Sequence, residues 1–333
     1  MLASPAMALD LDEEGDRAQL AEVPRGDQPL RAARSVAAAS AGEVIVLDRQ
    51  GQVLGPRQVA IAQARAWVLL GAMVGGVGLF YGALFSTTAG VFAGAGAAVL
   101  VGIQMRHWPR YRAALALTSS YRWEEAHAAM LALIKTRLPA YWKKHLQVGL
   151  AGLDSLLGRP QEALDRLDAL LPEVRAASGG YPVLLRWRAE LLRAGVLARL
   201  GRLIESRRQR DDVAAQMQTW ESRRRRPRGE YFDVMLQSVD LAIAFEADEP
   251  DGLPDDETLH GWARAALLRS RFGSILVYLA WAFERRGDGD MARHLLAEAP
   301  ARMPRSSLPT EAPRLHAWAE ERRAAWGLAG VAP

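Results

Sequence analysis

The stretch LGRPQEALDRLDALLP, Leu157 to Pro172, decides how the second half of this chain is read. It opens on a glycine that suits a turn and a proline that suits the start of a helix. A small residue, Ala163, stands five positions after Gly158, and a large apolar one, Leu167, follows four positions later. Twelve positions before Ala163 stands Ala151. Two antiparallel helices joined by a tight turn must cross at small side chains, so the stretch predicts a helical pair that crosses at Ala151 and Ala163.

The same arrangement recurs. RWEEAHAAMLAL (122–133), RPQEALDRLDAL (159–170), RLIESRRQRDDV (202–213) and DGDMARHLLAEA (288–299) align on the small residues Ala126, Ala163, Ser206 and Ala292. Five positions before these stand Tyr121, Gly158, Gly201 and Gly287, and twelve before them stand Ala114, Ala151, Ala194 and Ala280. Met130, Leu167 and Leu296 fill the layer between pairs, while Arg210 breaks the pattern in the third unit. From Arg106 onward helical periodicity is interrupted only by Gly or Pro, and no strand is expected.

With these residues in register the chain resembles a tetratricopeptide-repeat array. The closest segments are Leu157 to Pro172 and RRGDGDMARHLLAEAPARMP (285–304), with Pro304 where that family often ends a unit. The first-helix aromatic of the family is mostly missing. The small positions lie 37, 43 and 86 residues apart, against about 34 in the family. The longest gap leaves room for a degenerate helix pair, placed between Gly229 and Ser270. The repeats are thus assigned to residues 106–304. A capping helix and tail follow at 305–333, the helix running from about Thr310 to Trp326 with Leu315, Trp318 and Ala319 on its apolar face. Proteins of the resembled family generally grip a peptide or another protein in a groove lined by the first helices. By offset from the first-helix alanines, His145, Arg188, Arg199 and Arg285 share one helix face, and Tyr278 and Trp281 flank Ala280. These six are the candidate groove residues, suited to a carboxylate-bearing peptide. The competing reading makes the arginines ordinary solvated positions and the aromatics core between repeats.

Upstream the composition changes abruptly. In a chain that is 24% charged, the forty residues from Ala66 to Met105 carry no charge. About 20 apolar residues span a bilayer, so this stretch predicts a transmembrane helical hairpin with its turn at Ser86, Thr87 and Thr88. Arg57 and Arg65 precede it, and Arg106, Arg110 and Arg112 follow. The positive-inside rule then places both termini in the cytoplasm, with Trp67 and Trp108 at one interface and Phe80, Tyr81 and Phe85 near the other. Small residues four apart, such as Gly71 with Gly75 and Gly90 with Gly94, serve either self-packing of the hairpin or homo-oligomerisation. A buried soluble hairpin is the competing reading. Residues 1–42 read as a disordered tail, with five acids among the first sixteen positions and no basic leader. Residues 43–65 read as a short β-hairpin and a juxtamembrane helix.

Charge is unevenly spread. Residues 1–65 hold seven basic and nine acidic side chains, leaving thirty-five and twenty-nine to residues 106–333. Nearly all the basic residues are Arg, which together with abundant Ala, Leu and Gly points to a GC-rich bacterial genome and hence to an inner membrane. The run ESRRRRPRGEY (221–231) carries Arg223, Arg224, Arg225, Arg226 and Arg228, either as a solvated loop or as a contact for anionic headgroups. Nucleic acid is not expected there, because no reading helix or aromatic-basic sheet motif accompanies the run. The acidic run EADEPDGLPDDE (246–257) lacks calcium-loop spacing and reads as a solvated loop.

The absence of cysteine excludes disulfides, thiolate zinc sites and Cys nucleophiles. The six histidines form no HExxH pair, and there is no nucleophile elbow or phosphate loop. No catalytic, metal or cofactor site is expected. The reading is an all-α chain, a transmembrane helical hairpin followed by a TPR-like α-solenoid, that recruits protein partners to the membrane. Its rival is an oligomerising, pore-forming hairpin with a regulatory repeat domain, against which stands the lack of any ionisable residue within the spans.

Overall fold

The computed structural model describes residues 107–118, 120–176, 180–224, 230–267, 273–301, 303 and 307–328, and before them the single positions Ala83, Thr88, Val91, Phe92 and Ala95. Those five are helical, including Thr88 at the edge of the expected turn. The tail 1–42, the segment 43–65 and the rest of the uncharged stretch 66–105 lie outside the described residues. No helix among the described residues is long and apolar enough to cross a membrane.

All regular structure among the described residues is helical. In chain order the first two units are α1 (residues 107–118) with α2 (Trp123–Ile134), and α3 (Ala140–Leu156) with α4 (Pro160–Arg175). The next are α5 (Gly180–Arg199) with α6 (Leu203–Arg224), then α7 (Glu230–Ala247), α8 (Asp256–Leu267), and α9 (Gly273–Arg285) with α10 (Gly289–Glu298). Each helix packs on its successor from α2 through α6, and first helices also pack on first helices, α3 on α5, α5 on α7 and α7 on α9. This is the layering of a helical repeat solenoid.

The register read from the sequence holds atom by atom. Ala114, Ala151, Ala194 and Ala280 are fully buried, as are Ala126, Ala163, Ser206 and Ala292. The helices cross so closely that the Ser206 hydroxyl donates to the Ala194 carbonyl across the pair, at 2.7 Å. All four turn residues are left-handed, with φ of 58° at Tyr121, 73° at Gly158 and Gly201 and 86° at Gly287. After each, the next amide donates five residues back, Arg159 to Asp154 and Arg202 to Leu197 for example. That closes the first helix with a Schellman motif. A new pattern starts the second helix: Arg122 pairs with Glu125, Arg159 with Glu162 and Arg202 with Glu205, each three residues on.

Two helices, α7 and α8, fall in the interval kept for a degenerate pair. Asp248, with φ of 56°, makes the same turn. Leu241 and Leu253, both buried, stand where the other units have their small residues. Two leucines hold the helices apart, so α8 packs on α9 rather than on α7, and a 3₁₀ turn, Pro250–Gly252, spans the gap. The splay leaves a pocket of about 470 Å³ between α6, α7 and Trp262 of α8. Arg210, which replaces the expected apolar residue, forks onto Asp240 there with contacts of 2.5 and 2.7 Å.

The C-terminal segment breaks into α11 (Leu308–Glu311) and α12 (Pro313–Ala325). Ala312 is extended, with φ of −147°, as the residue before a proline tends to be. Leu308, Ala312, Leu315 and Ala319 are buried. The segment does more than cover the last unit: α11 reaches α3, placing the Thr310 carbonyl 3.1 Å from where a Cβ on Gly158 would stand. Only glycine at that turn satisfies both the left-handed backbone and this close approach.

Candidate partner groove

The six candidate groove residues fall into three pairs. His145 of α3 faces Arg188 of α5, Nε2 to Nη1 at 3.4 Å. Arg199, in the last turn of α5, lies beside Tyr278 of α9 at one pocket. Trp281 lies under Arg285, whose guanidinium sits 5.9 Å from the ring centroid.

The pocket holding Arg199 and Tyr278 has a volume of about 190 Å³. First helices build most of it: Leu191 and Val196 from α5, Val234 and Val239 from α7, and Ile275 from α9. Its polar end is a cluster around Arg199, whose Nη1 donates to Ser155 Oγ at 2.9 Å and whose Nη2 meets Glu311 Oε1 at 3.3 Å. The chain's own C-terminal segment therefore places a carboxylate on the groove arginine. Tyr278 is buried, and among the described residues its hydroxyl has no hydrogen-bond partner of ordinary geometry. Burial pushes that hydroxyl up to about 12 against the opposing pull of Arg199, with Glu311 and Glu246 adding to the rise. It stays a neutral donor at the pocket end.

Tyr278 and Trp281 are core in most of their surface. Both rings pack edge-on against Phe245 of α7, at 5.7 and 5.4 Å. The physical reason is that Ala280 is turned to α10 within its own pair, so Tyr278 and Trp281 beside it are turned to the neighbouring first helix α7 and not to an open groove. Arg285 is paired with Asp248 across the splayed unit. Of the six, Arg199 and Tyr278 line the pocket, His145 and Arg188 form a separate station, and Arg285 with Trp281 belongs to the α7 to α9 contact.

The acidic run is taken up by arginines from elsewhere. Glu246 pairs with Arg314, Asp248 with Arg285 and Glu249 with Arg207, while Asp255 accepts from the Thr258 amide at the start of α8. Of the basic run, Arg223 and Arg224 end α6, and Arg225, Arg226 and Arg228 lie outside the described residues. Among the described residues no three His, Asp or Glu side chains converge as a metal site would require.

Compared with family models, with curated proteins and with solved structures, the chain matches none. The architecture rests on its own packing: consecutive helices in the layered order of a helical repeat solenoid.

His145 gives a pH signature for its station. Burial, and then the Arg188 charge, pushes its imidazole down to about 4. The unfolded chain, with an ordinary value near 6.5, binds the proton more readily, so stability is full above that value and falls as pH drops toward 4. From pH 7 to pH 5 this residue is expected to remove about 2 kcal/mol of unfolding free energy. Denaturant melts of the full chain across that range should show the fall, and His145→Gln should flatten it.

Proposed function

We propose that the chain is a membrane-anchored, TPR-like adaptor that holds an acidic segment of a partner protein along its first helices. The observation that carries this reading is the occupied pocket: Arg199, Ser155 and Tyr278 converge beside an apolar cleft, and a carboxylate from Glu311 already sits on the arginine. A partner with an apolar side chain next to an Asp or Glu supplies the same chemistry, and its arrival displaces Leu308–Glu311. The anchor is the uncharged stretch 66–105, read as two spans in a bacterial inner membrane with both termini cytoplasmic. The repeats then act at the cytoplasmic face, without catalysis or cofactor.

The test is recovery of partners from the native membrane with tagged full-length protein, alongside a variant carrying Arg188→Glu, Arg199→Glu and Arg285→Glu. A protein lost only from the variant supports the adaptor. Equal recovery from both sinks the groove assignment. Recovery of the chain alone as a stable oligomer, with dye release from vesicles, favours the pore-forming rival.

A further inference from the structure

The antiparallel order sorts the two edges of the array. One edge holds the left-handed turns at Tyr121, Gly158, Gly201, Asp248 and Gly287, with the acidic run and the C-terminal segment. Among the described residues, Arg122, Arg202, Arg207 and Arg314 there are each paired with a carboxylate. The other edge holds the first described turn of α1, the starts of α3 and α5 and the ends of α2, α4 and α6. Lys144 at the start of α3 meets Glu173 at the end of α4, which fixes this arrangement.

At this second edge the first two units carry an exposed basic and aromatic surface. Trp108 and Tyr141 are 37% and 40% exposed, large values for aromatic rings. They flank a cluster in which Trp142 packs on Trp108 at 5.9 Å, on Tyr111 at 5.1 Å and on Tyr141 at 5.7 Å. Around it stand Arg110, Lys135, Arg137 and Lys143, all exposed and none paired with a carboxylate among the described residues. All three lysines of the chain, Lys135, Lys143 and Lys144, lie at this edge. The uncharged stretch ends at Met105, two positions before the first described residue of α1.

We propose that this edge docks on an anionic lipid surface. Trp108 and Tyr141 sit at headgroup depth, where amphipathic rings are favoured, and Arg110, Lys135, Arg137 and Lys143 meet lipid phosphates. The inference rests on the membrane-anchor reading and adds an orientation to it: the paired edge and the groove's Glu311 end face away from the bilayer. Each basic residue near an anionic leaflet shifts the docked population roughly fivefold. Neutralising four of them therefore undocks the edge by a factor on the order of several hundred.

Because the chain has no cysteine, Ala140→Cys at the docking edge and Gly252→Cys at the opposite edge can each carry one fluorophore on the full chain. Reconstitution is into vesicles of phosphatidylcholine alone or mixed equally with phosphatidylglycerol, each with a headgroup-quenching lipid. The expected result is quenching at 140 in mixed vesicles, little at 252, and loss of the 140 signal when Arg110, Lys135, Arg137 and Lys143 are all changed to Gln. Absence of quenching at 140, or equal quenching at both positions, in protein that resists alkaline extraction overturns the docking edge while leaving the anchor standing. Protein that is extracted by alkali has failed the anchor reading. The edge then stands only if the unanchored chain still binds mixed vesicles and the four-Gln variant does not; absence of that binding overturns it as well.

Discussion

Replacing Asp154 with alanine is expected to lower the unfolding free energy by about 3 to 5 kcal/mol, the range for breaking a buried charge pair from one side. The side chain is fully buried in α3 and ties three helices together. Its Oδ2 accepts from Arg166 Nε of α4 at 2.8 Å, and its Oδ1 lies 2.8 Å from His127 Nε2 of α2, close but off the line of a well-aligned hydrogen bond. Arg166 reaches on to Gln147 at 3.1 Å. Without the carboxylate, a mostly buried guanidinium loses its counter-charge while its desolvation remains. A variant that makes the whole cluster apolar, His127→Leu with Asp154→Leu and Arg166→Met, should recover most of the loss, because no buried charge is then left alone. Denaturant midpoints of the three proteins settle this. If Asp154→Ala costs under about 1 kcal/mol, the cluster is solvated and does not join the first two units.

The register of the array was legible because it has a single packing solution. Alanines seven residues before a left-handed turn and small residues five after it leave no other way to bring two helices together, and Tyr121 shares that turn with three glycines. Arg-x-x-Glu after the turns, at Arg122, Arg159 and Arg202, also marks the second-helix starts, a signal that emerged only with the ion pairs of the structure. Asp248 was not found, because Leu241 and Leu253 erase the small-residue signature around it. Its own tolerance of a left-handed backbone was the one local clue.

The candidate groove was legible in part. Arg188 and Arg199 stand eleven residues apart, close to three helical turns, so spacing alone places them on one face. What spacing cannot encode is which neighbour covers that face. Tyr278 and Trp281 turn toward α7 because Ala280 is taken up by α10 and first helices pack side by side. Glu311 reaches Arg199 from 112 residues away, and only the packing of Leu308 and Leu315 brings it there. The single helix expected from about Thr310 to Trp326 is instead two, because Pro313 forces Ala312 into an extended backbone between Leu308–Glu311 and Pro313–Ala325.

Arg199→Glu is expected to release the C-terminal segment and abolish partner capture together. In the wild type the guanidinium and the Glu311 carboxylate are mostly buried, with 20% and 11% of their side chains exposed. Reversing one charge sets two carboxylates face to face in that setting and leaves Ser155 Oγ without its donor. Truncating one side of such a pair costs about 2 to 5 kcal/mol. Amide exchange at Glu311 and Ala312, which donate to the Ser307 and Leu308 carbonyls, should therefore quicken by roughly thirtyfold or more, while exchange in α4 and α6 stays unchanged. The charge swap, Arg199→Glu with Glu311→Arg, separates two roles that the single variant confounds. It restores the ion pair, and with it the protection of α11, but presents a carboxylate where the proposed partner's acidic residue must bind. Protection that returns without partner capture is the result expected of a groove that reads a carboxylate through Arg199. Capture that returns with protection would show instead that the partner needs only a closed C-terminal segment, and its binding surface would then lie outside the pocket.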